Sequence, residues 1–232
     1  MTETILITGA NRGIGLELAD QYAADGWRVL ACCRQPERAQ RLQKIAEATG
    51  GRLSMHPLEV TDRDCIRALA GELADQSIDI LFNCAGVRGG DHQTLGDIDV
   101  DNWLQTLRVN TIAPLLMTQA FLPQVARSRR KIVAIMGSTM GSIAENASGD
   151  QYIYRTSKAA AHMVGRSLAV DLRSQGIISV LLHPGWVRTD MGGIQAPVSP
   201  AESVAGLRRV LAGLQLKDSG RFFDFQGRER RW

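Results

Sequence analysis

The segment Tyr154-Arg-Thr-Ser-Lys158 places a phenol and an ammonium four residues apart. On a helix, four residues turn through about 400°, so the two side chains stand about 40° apart on one face. Tyr152, six residues before Lys158, lies about 240° away and cannot share that face. A phenol titrates near pH 10 and is a poor proton carrier at neutral pH, but a neighbouring cation favours the phenolate. That tuning is what a general acid toward a carbonyl oxygen requires. Spacing alone also fits an amphipathic helix with a surface Tyr–Lys pair, so the surroundings must decide.

A second chemical feature lies near the N-terminus, in Thr8-Gly-Ala-Asn-Arg-Gly-Ile-Gly15. An apolar strand enters this turn and a helix leaves it. Gly9, Gly13 and Gly15 allow backbone to approach a pyrophosphate, and Asn11, Arg12 and Ile14 fill the turn between them. The helix start then presents free N–H groups and partial positive charge to the phosphates. The spacing differs from the G-x-G-x-x-G dinucleotide fingerprint, and a ligand-free βα turn can also be glycine-rich. The next strand ends in Cys32-Cys33-Arg34, with no acid before Glu37. An acid there would suit a ribose 2′-hydroxyl, whereas an arginine suits a 2′-phosphate. Arg34, with Arg12 on the opposite side, therefore points to NADP(H) over NAD(H), with NAD(H) remaining open.

Apolar runs alternate with helical periodicity along the whole chain. Strands are expected at Ile5–Thr8, Arg28–Cys33, Leu53–Val60, Ile78–Asn83, Lys131–Met136 and Ile177–His183, with an edge strand at Phe222–Phe225. Helices are expected over Gly13–Asp25, Pro36–Ala48, Thr61 or Asp62 to Asp75, Asp101–Arg127 and Tyr152–Ser174, and after the capping box Ser199-Pro-Ala-Glu202. Such alternation predicts an α/β fold, a single doubly wound Rossmann-type domain over residues 1–232. Its sheet is expected to be mostly or wholly parallel and about seven-stranded, because Ile78–Phe82 and Ile177–Leu182 are apolar on both faces. The glycine-rich turn, Asn83-Cys-Ala-Gly86, the Tyr–Lys segment and Pro184-Gly-Trp-Val-Arg-Thr189 all then fall at strand C-terminal ends or in the helix that follows. In open parallel sheets that edge binds ligands.

With these motifs in this order, the chain resembles the short-chain dehydrogenase/reductase family over essentially its whole length. The stretches Gly141–Lys158 and His183-Pro-Gly-Trp-Val-Arg-Thr-Asp-Met-Gly-Gly193 look closest to C-factor and sniffer-type carbonyl reductases. The resemblance implies that Tyr154 exchanges the proton of a carbonyl/alcohol pair while hydride moves to or from the nicotinamide. It implies that Lys158 lowers the tyrosine pKa and binds the nicotinamide ribose, that Asn110 kinks its helix and holds a relay water, and that Ser138 bonds the substrate oxygen. Ser142 competes with Ser138 for that role. Ser138 is preferred because it lies two residues beyond a strand end and is followed by xxG. Glu59-Val60 stands where the family usually has Asp-Val at the adenine. Asn83, Ala85 and Gly86 line the cofactor, with Cys84 replacing an asparagine. Val187 and Thr189 match positions that hold the nicotinamide carboxamide, and Pro184 and Gly185 before them are expected among the cofactor contacts. Asp190 to Pro200 forms a short substrate loop, and Val87, Arg88, Trp186 and Met191 are expected to line the pocket. A second expectation, of a different class, is a C-factor-like developmental or cell-contact signalling protein in which dinucleotide binding is regulatory.

Composition narrows the alternatives. The chain has 232 residues, 27 Lys+Arg against 24 Asp+Glu, 44% hydrophobic and 22% charged residues, which excludes disorder and low complexity. A net charge of +3, with short basic clusters lacking aromatics, gives no reason to expect a nucleic-acid partner. The four cysteines form no disulfide framework, and Cys32 and Cys33 read as small buried hydrophobes. No apolar run is long enough for a membrane span, and Met1-Thr-Glu-Thr carries no signal-peptide features, so the expected setting is cytoplasmic. No histidine has partners at metal-ligand spacing, and His183 is expected to be a satisfied core residue. No G-x-S-x-G elbow suggests a hydrolase. The partner is thus a small-molecule carbonyl or alcohol, with a homodimer or homotetramer through the two long helices left open.

Overall fold

The computed structural model describes residues 2–232. Its principal elements in chain order are β1 (Thr4–Thr8), α1 (Gly13–Ala24), β2 (Arg28–Cys33), α2 (Gln40–Ala48), β3 (Leu53–Pro57), α3 (Arg63–Glu72) and β4 (Ile80–Asn83). A two-stranded hairpin follows, β5 (Gln93–Thr94) and β6 (Asp97–Ile98), then α4 (Val100–Leu107) and α5 (Ala113–Ala126). The remaining elements are β7 (Ile132–Met136), α6 (Tyr152–Asp171), β8 (Ile178–His183), α7 (Pro200–Gly213) and β9 (Phe222–Asp224).

Seven strands form one parallel sheet in the order β3-β2-β1-β4-β7-β8-β9. Strand order reverses between β1 and β4, which opens a crevice at their C-terminal ends. Successive residues of a strand face opposite sides, so Ile5 and Ile7 enter one core with Leu16, Leu18 and Leu207. Leu6, between them, enters the other with Met117, Phe121 and Leu168. Burial on both faces explains why β1 and β7 lack polar alternation.

At the opposite edge of the sheet, buried Asp79 ties three strands together. Its Oδ2 accepts from Thr4 N (2.9 Å), its Oδ1 from Arg130 N (3.2 Å), and its carbonyl from Ile132 N (3.0 Å).

Several boundaries differ from expectation. The helix expected over Pro36–Ala48 is a 3₁₀ turn, Pro36–Arg38, then α2, because Ala39 leaves helical geometry at φ −88°, ψ 61°. Strand β3 stops at Pro57, short of Val60, because its one neighbour β2 ends at Cys33, whose carbonyl takes a last bond from Leu58 N at 2.9 Å. The long helix expected over Asp101–Arg127 is interrupted by a π-helical turn at Arg108–Ile112. The Gln93–Ile98 hairpin had no counterpart in the periodicity.

Candidate active site

The functional edge begins with the glycine-rich turn. Gly9 has φ +70°, and a Cβ there would come within 2.9 Å of Ala85 Cα. Gly13 has φ +53° and faces Thr189, whose Cγ2 would be 3.3 Å from an added Cβ. These two glycines therefore permit both the turn and its approach to the loops after β4 and β8. Thr8 Oγ1 accepts from the Cys84 and Ala85 N–H groups, each at 3.0 Å, and joins the ends of β1 and β4. Asn11 and Arg12 are exposed, and Ile14 is half-buried. Arg12 Nη1 donates to Asp190 Oδ2 at 3.1 Å, so in this structure it bridges to the loop beyond β8. Arg34 is exposed at the end of β2.

Asn83 is 3% exposed, and its Nδ2 has no hydrogen-bond partner among the described residues. A buried amide donor without a partner at the C-terminal end of β4, beside a glycine cradle at a helix N-terminus, fits a dinucleotide. Glu59 turns back on its own loop, with Oε1 accepting from Thr61 N (2.9 Å) and Thr61 Oγ1 (2.8 Å). Val60, next to it, is buried. Val187, buried after Pro184-Gly185, is bridged to Val198, and Thr189 Oγ1 accepts from Gly192 N at 3.1 Å. The Asp190–Pro200 segment is thereby folded back against the base of the site. Of the expected pocket-lining side chains, Trp186, just before this segment, is exposed and donates its Nε1–H to the Gly192 carbonyl at 2.7 Å.

Ser138, Tyr154 and Lys158 come together: the Ser138 hydroxyl bonds the Tyr154 phenol, and Lys158 lies beside both the Tyr154 ring and Gly86. Lys158 is 4% exposed, and its Nζ donates to the Met136 carbonyl at 2.9 Å. The same Nζ lies 5.7 Å from the Tyr154 ring centroid. A Cβ on Gly86 would sit 3.6 Å from Lys158 Nζ and 3.2 Å from Asn110 Oδ1, so only glycine leaves this space open. Asn110 occupies the π turn. Its Oδ1 accepts from Val87 N (2.9 Å), and its Nδ2 donates to the Val87 carbonyl (2.8 Å) and Ser157 Oγ (3.0 Å). The widened turn lets one amide clamp the loop after β4 onto α6.

Burial raises the Tyr154 pKa, opposed by a hydrogen bond with Ser138 and by the charge of Arg88. The expected lowering by Lys158 is not what opposes burial here: the ammonium is held by the Met136 carbonyl. Burial itself brings the Lys158 pKa down to about 8, and Cys84, beside it, is pushed up to about 12 by burial. Ser138 caps a 3₁₀ turn at Thr139–Gly141 by accepting from Met140 N. Ser142 accepts from Glu145 N at 3.1 Å, and its hydroxyl closes the following loop.

Other side chains complete the support. Helix α6 starts from Asp150 and Gln151 in left-handed geometry (φ 57° and 50°), and no side chain at Gln151 caps it. Gln93 supplies the missing acceptor: its Oε1 takes the Tyr154 N–H at 3.1 Å, while its Nε2 donates to the Gly90 carbonyl at 2.6 Å. His162 Nε2 accepts from Ser138 N at 3.3 Å, and burial holds its pKa down at about 3. Trp232 packs on His162 and Phe222, and Arg230 pairs with Glu145 at 2.6 Å, pinning the loop between Ser138 and Tyr154. Thr8 belongs to a quoted motif, but Gln93, His162 and Arg230 carried no local signal. His183 departs from the expected satisfied core residue. It is half-buried, with its Nδ1 unpartnered among the described residues.

The profile of the short chain dehydrogenase family matches residues 3–197. The chain belongs to that family. It is 46% identical over 167 residues to the C-signal protein of Myxococcus xanthus, covering 72% of this chain and all of that one. Among solved structures, the NADPH-bound carbonyl reductase from chicken fatty liver superposes with a TM-score of 0.92 at 38% identity, covering 100% of this chain and 99% of that one. The carbonyl reductase Sniffer of D. melanogaster gives a TM-score of 0.92 at 32% identity with both chains fully covered. The resemblance to C-factor and sniffer-type members thus holds, and the chain is an oxidoreductase of this family. No described helix is long and apolar enough to cross a membrane.

Proposed function

We propose that this protein is an NADP(H)-dependent carbonyl reductase that interconverts an aldehyde or ketone with its alcohol. The grouping of Ser138 and Lys158 on Tyr154, by a hydrogen bond to its hydroxyl and by an ammonium 5.7 Å from its ring centroid, carries this reading. When bound, NADPH supplies the hydride that ends on the carbonyl carbon. Gly9, Gly13, Gly15 and the start of α1 would hold its pyrophosphate, Asn83 its buried polar edge, and Arg34 and Arg12 its 2′-phosphate. NAD(H) would lack that last contact and bind less well.

In this reading the Ser138 hydroxyl bonds the substrate oxygen and holds it against the Tyr154 hydroxyl. Tyr154 then donates its proton to that oxygen as negative charge develops there. Lys158, with its buried ammonium held by the Met136 carbonyl 5.7 Å from the Tyr154 ring centroid, would bind the nicotinamide ribose. Asn110, through its bonds to Val87 and Ser157, keeps the loop after β4 and helix α6 in fixed relation. The short Asp190–Pro200 loop suits an open or modest pocket. The NADPH-bound relative at 38% identity supports the cofactor assignment.

NADPH oxidation across a panel of aldehydes and ketones tests the reading, with Tyr154→Phe as the comparison. Removing the phenolic proton should lower kcat by about a hundredfold or more while NADPH still binds. Equal turnover by the variant would refute the assigned proton donor.

The 46% identity to C-signal favours one second reading, a developmental or cell-contact signalling role in which dinucleotide binding is regulatory. A Tyr154→Phe protein that fully restores a null strain would support it over the enzymatic one.

A further inference from the structure

The loop from Ala85 to Gly90 leaves the end of β4 with its backbone fixed at successive residues. Val87 is held through both its N–H and its carbonyl by Asn110. The Gly89 carbonyl accepts from Asn102 Nδ2 at 2.7 Å, and Gly89 lies so close to Ile153 that a Cβ would fall 2.5 Å from its Cγ2. Gln93 Nε2 reaches the carbonyls of Arg88 (3.4 Å) and Gly90 (2.6 Å), and Oε1 of the same amide accepts from Tyr154 N. Arg88 is therefore one side-chain amide away from the proposed proton donor, on a rigid backbone.

Its guanidinium is exposed and makes no hydrogen bond or ion pair among the described residues. Arg34, exposed at the end of β2, is set aside for the cofactor 2′-phosphate, and the following cations at this edge are engaged. Lys158 donates to the Met136 carbonyl, and Arg155 donates to the Gly149 and Asp150 carbonyls and to Ser148 Oγ. Arg188 donates to the Ala196 and Pro197 carbonyls, and Arg12 pairs with Asp190. An unpaired guanidinium on a fixed loop offers a planar fork that matches a carboxylate with two charge-assisted bonds.

We propose that Arg88 anchors a carboxylate of the substrate, so that the carbonyl compounds preferred by this site are carboxylic acids whose reacting carbonyl sits at Tyr154. The proposal rests on the reductase reading. Its charge has a second effect on the same step, because it opposes the rise that burial imposes on the Tyr154 phenol.

The experiment compares 3- and 4-carboxybenzaldehyde with their methyl esters as substrates of the NADPH-loaded protein. The acid should exceed its ester in kcat/KM by about tenfold for at least one ring position, the scale of one charge-assisted contact. In Arg88→Gln that ratio should collapse toward one, and Arg88→Lys should retain part of it. Any effect of Arg88 on Tyr154 acts on acid and ester alike and cancels in the ratio. Equal turnover of acid and ester by the parent, or an unchanged ratio in Arg88→Gln, would overturn the proposal. Calorimetric titration of terephthalate into the NADP-loaded protein reads the anchor without turnover. Saturable binding that Arg88→Gln abolishes supports Arg88 even if no aldehyde reacts, in which case the reductase reading falls by itself. No terephthalate binding and no acid preference refute the anchor.

Discussion

Replacing Gln93 by methionine keeps the length of the side chain and removes its amide. Three backbone groups lose their partner: the Tyr154 N–H at 3.1 Å, the Gly90 carbonyl at 2.6 Å and, more weakly, the Arg88 carbonyl at 3.4 Å. Gln93 is 2% exposed, so water cannot readily replace the amide. Losing one partner of a neutral hydrogen bond costs about 1 kcal/mol where the other group relaxes and about 2 kcal/mol where it stays buried and unpaired. The two short bonds together therefore set a loss of about 2–4 kcal/mol. For a chain of 232 residues that corresponds to a fall in Tm of roughly 5–15 °C. The lost acceptor also leaves the first turn of α6 without a cap. Tyr154 then samples positions away from the substrate oxygen, and kcat should drop about tenfold at temperatures where the variant is fully folded. Urea unfolding followed by circular dichroism gives the stability term, and NADPH oxidation gives the catalytic one. A stability change below about 0.5 kcal/mol would refute the accounting of buried bonds. A full stability loss with unchanged kcat would refute the link to Tyr154.

Arg34→Asp should move the ratio of kcat/KM for NADPH over NADH toward NADH, because a carboxylate repels a 2′-phosphate and suits a 2′-hydroxyl; steady-state kinetics with both cofactors would show an unchanged ratio if Arg34 does not read that phosphate. Gly9→Ala places a Cβ 2.9 Å from Ala85 Cα at φ +70°, and should weaken NADPH binding at least about tenfold in a fluorescence titration. His162 is neutral in the folded protein, with a pKa near 3, whereas the unfolded chain gains its proton near pH 6.5. The unfolded state therefore binds more protons between those values, and His162 contributes a stability loss of about 1.4 kcal/mol for each pH unit below 6.5. Urea midpoints from pH 7 to 4.5 measure this slope, which His162→Gln should flatten.

The parts of the molecule legible in the sequence are those whose reason is local. Strand β1, the glycine turn and the start of α6 are each specified within about ten residues, by two-faced apolar runs and by Gly9, Gly13 and Gly15. The π turn at Asn110 belongs to a different category. Helical periodicity passes through it unbroken, and only the resemblance to known relatives suggested a kink there. The end of β3 was misplaced because Leu58 and Val60 extend the apolar pattern past Pro57, where the edge of the sheet leaves nothing to pair with. The hairpin holding Gln93 has strands of two residues, too short for a period to register. Contacts between distant segments gave no signal at all. Arg12 with Asp190 and Arg230 with Glu145 join residues 178 and 85 positions apart, and each partner alone looks like solvated surface.

The Asp79 knot has a practical meaning for anyone reshaping this protein. It joins β1, β4 and β7 from the side farthest from the chemistry, with bonds to Thr4 and Arg130 that involve no loop of the reactive edge. Libraries that randomise the segment from Asp190 to Pro200 therefore leave the frame intact, whereas a single change at Asp79 should scramble clones that carry perfect loops.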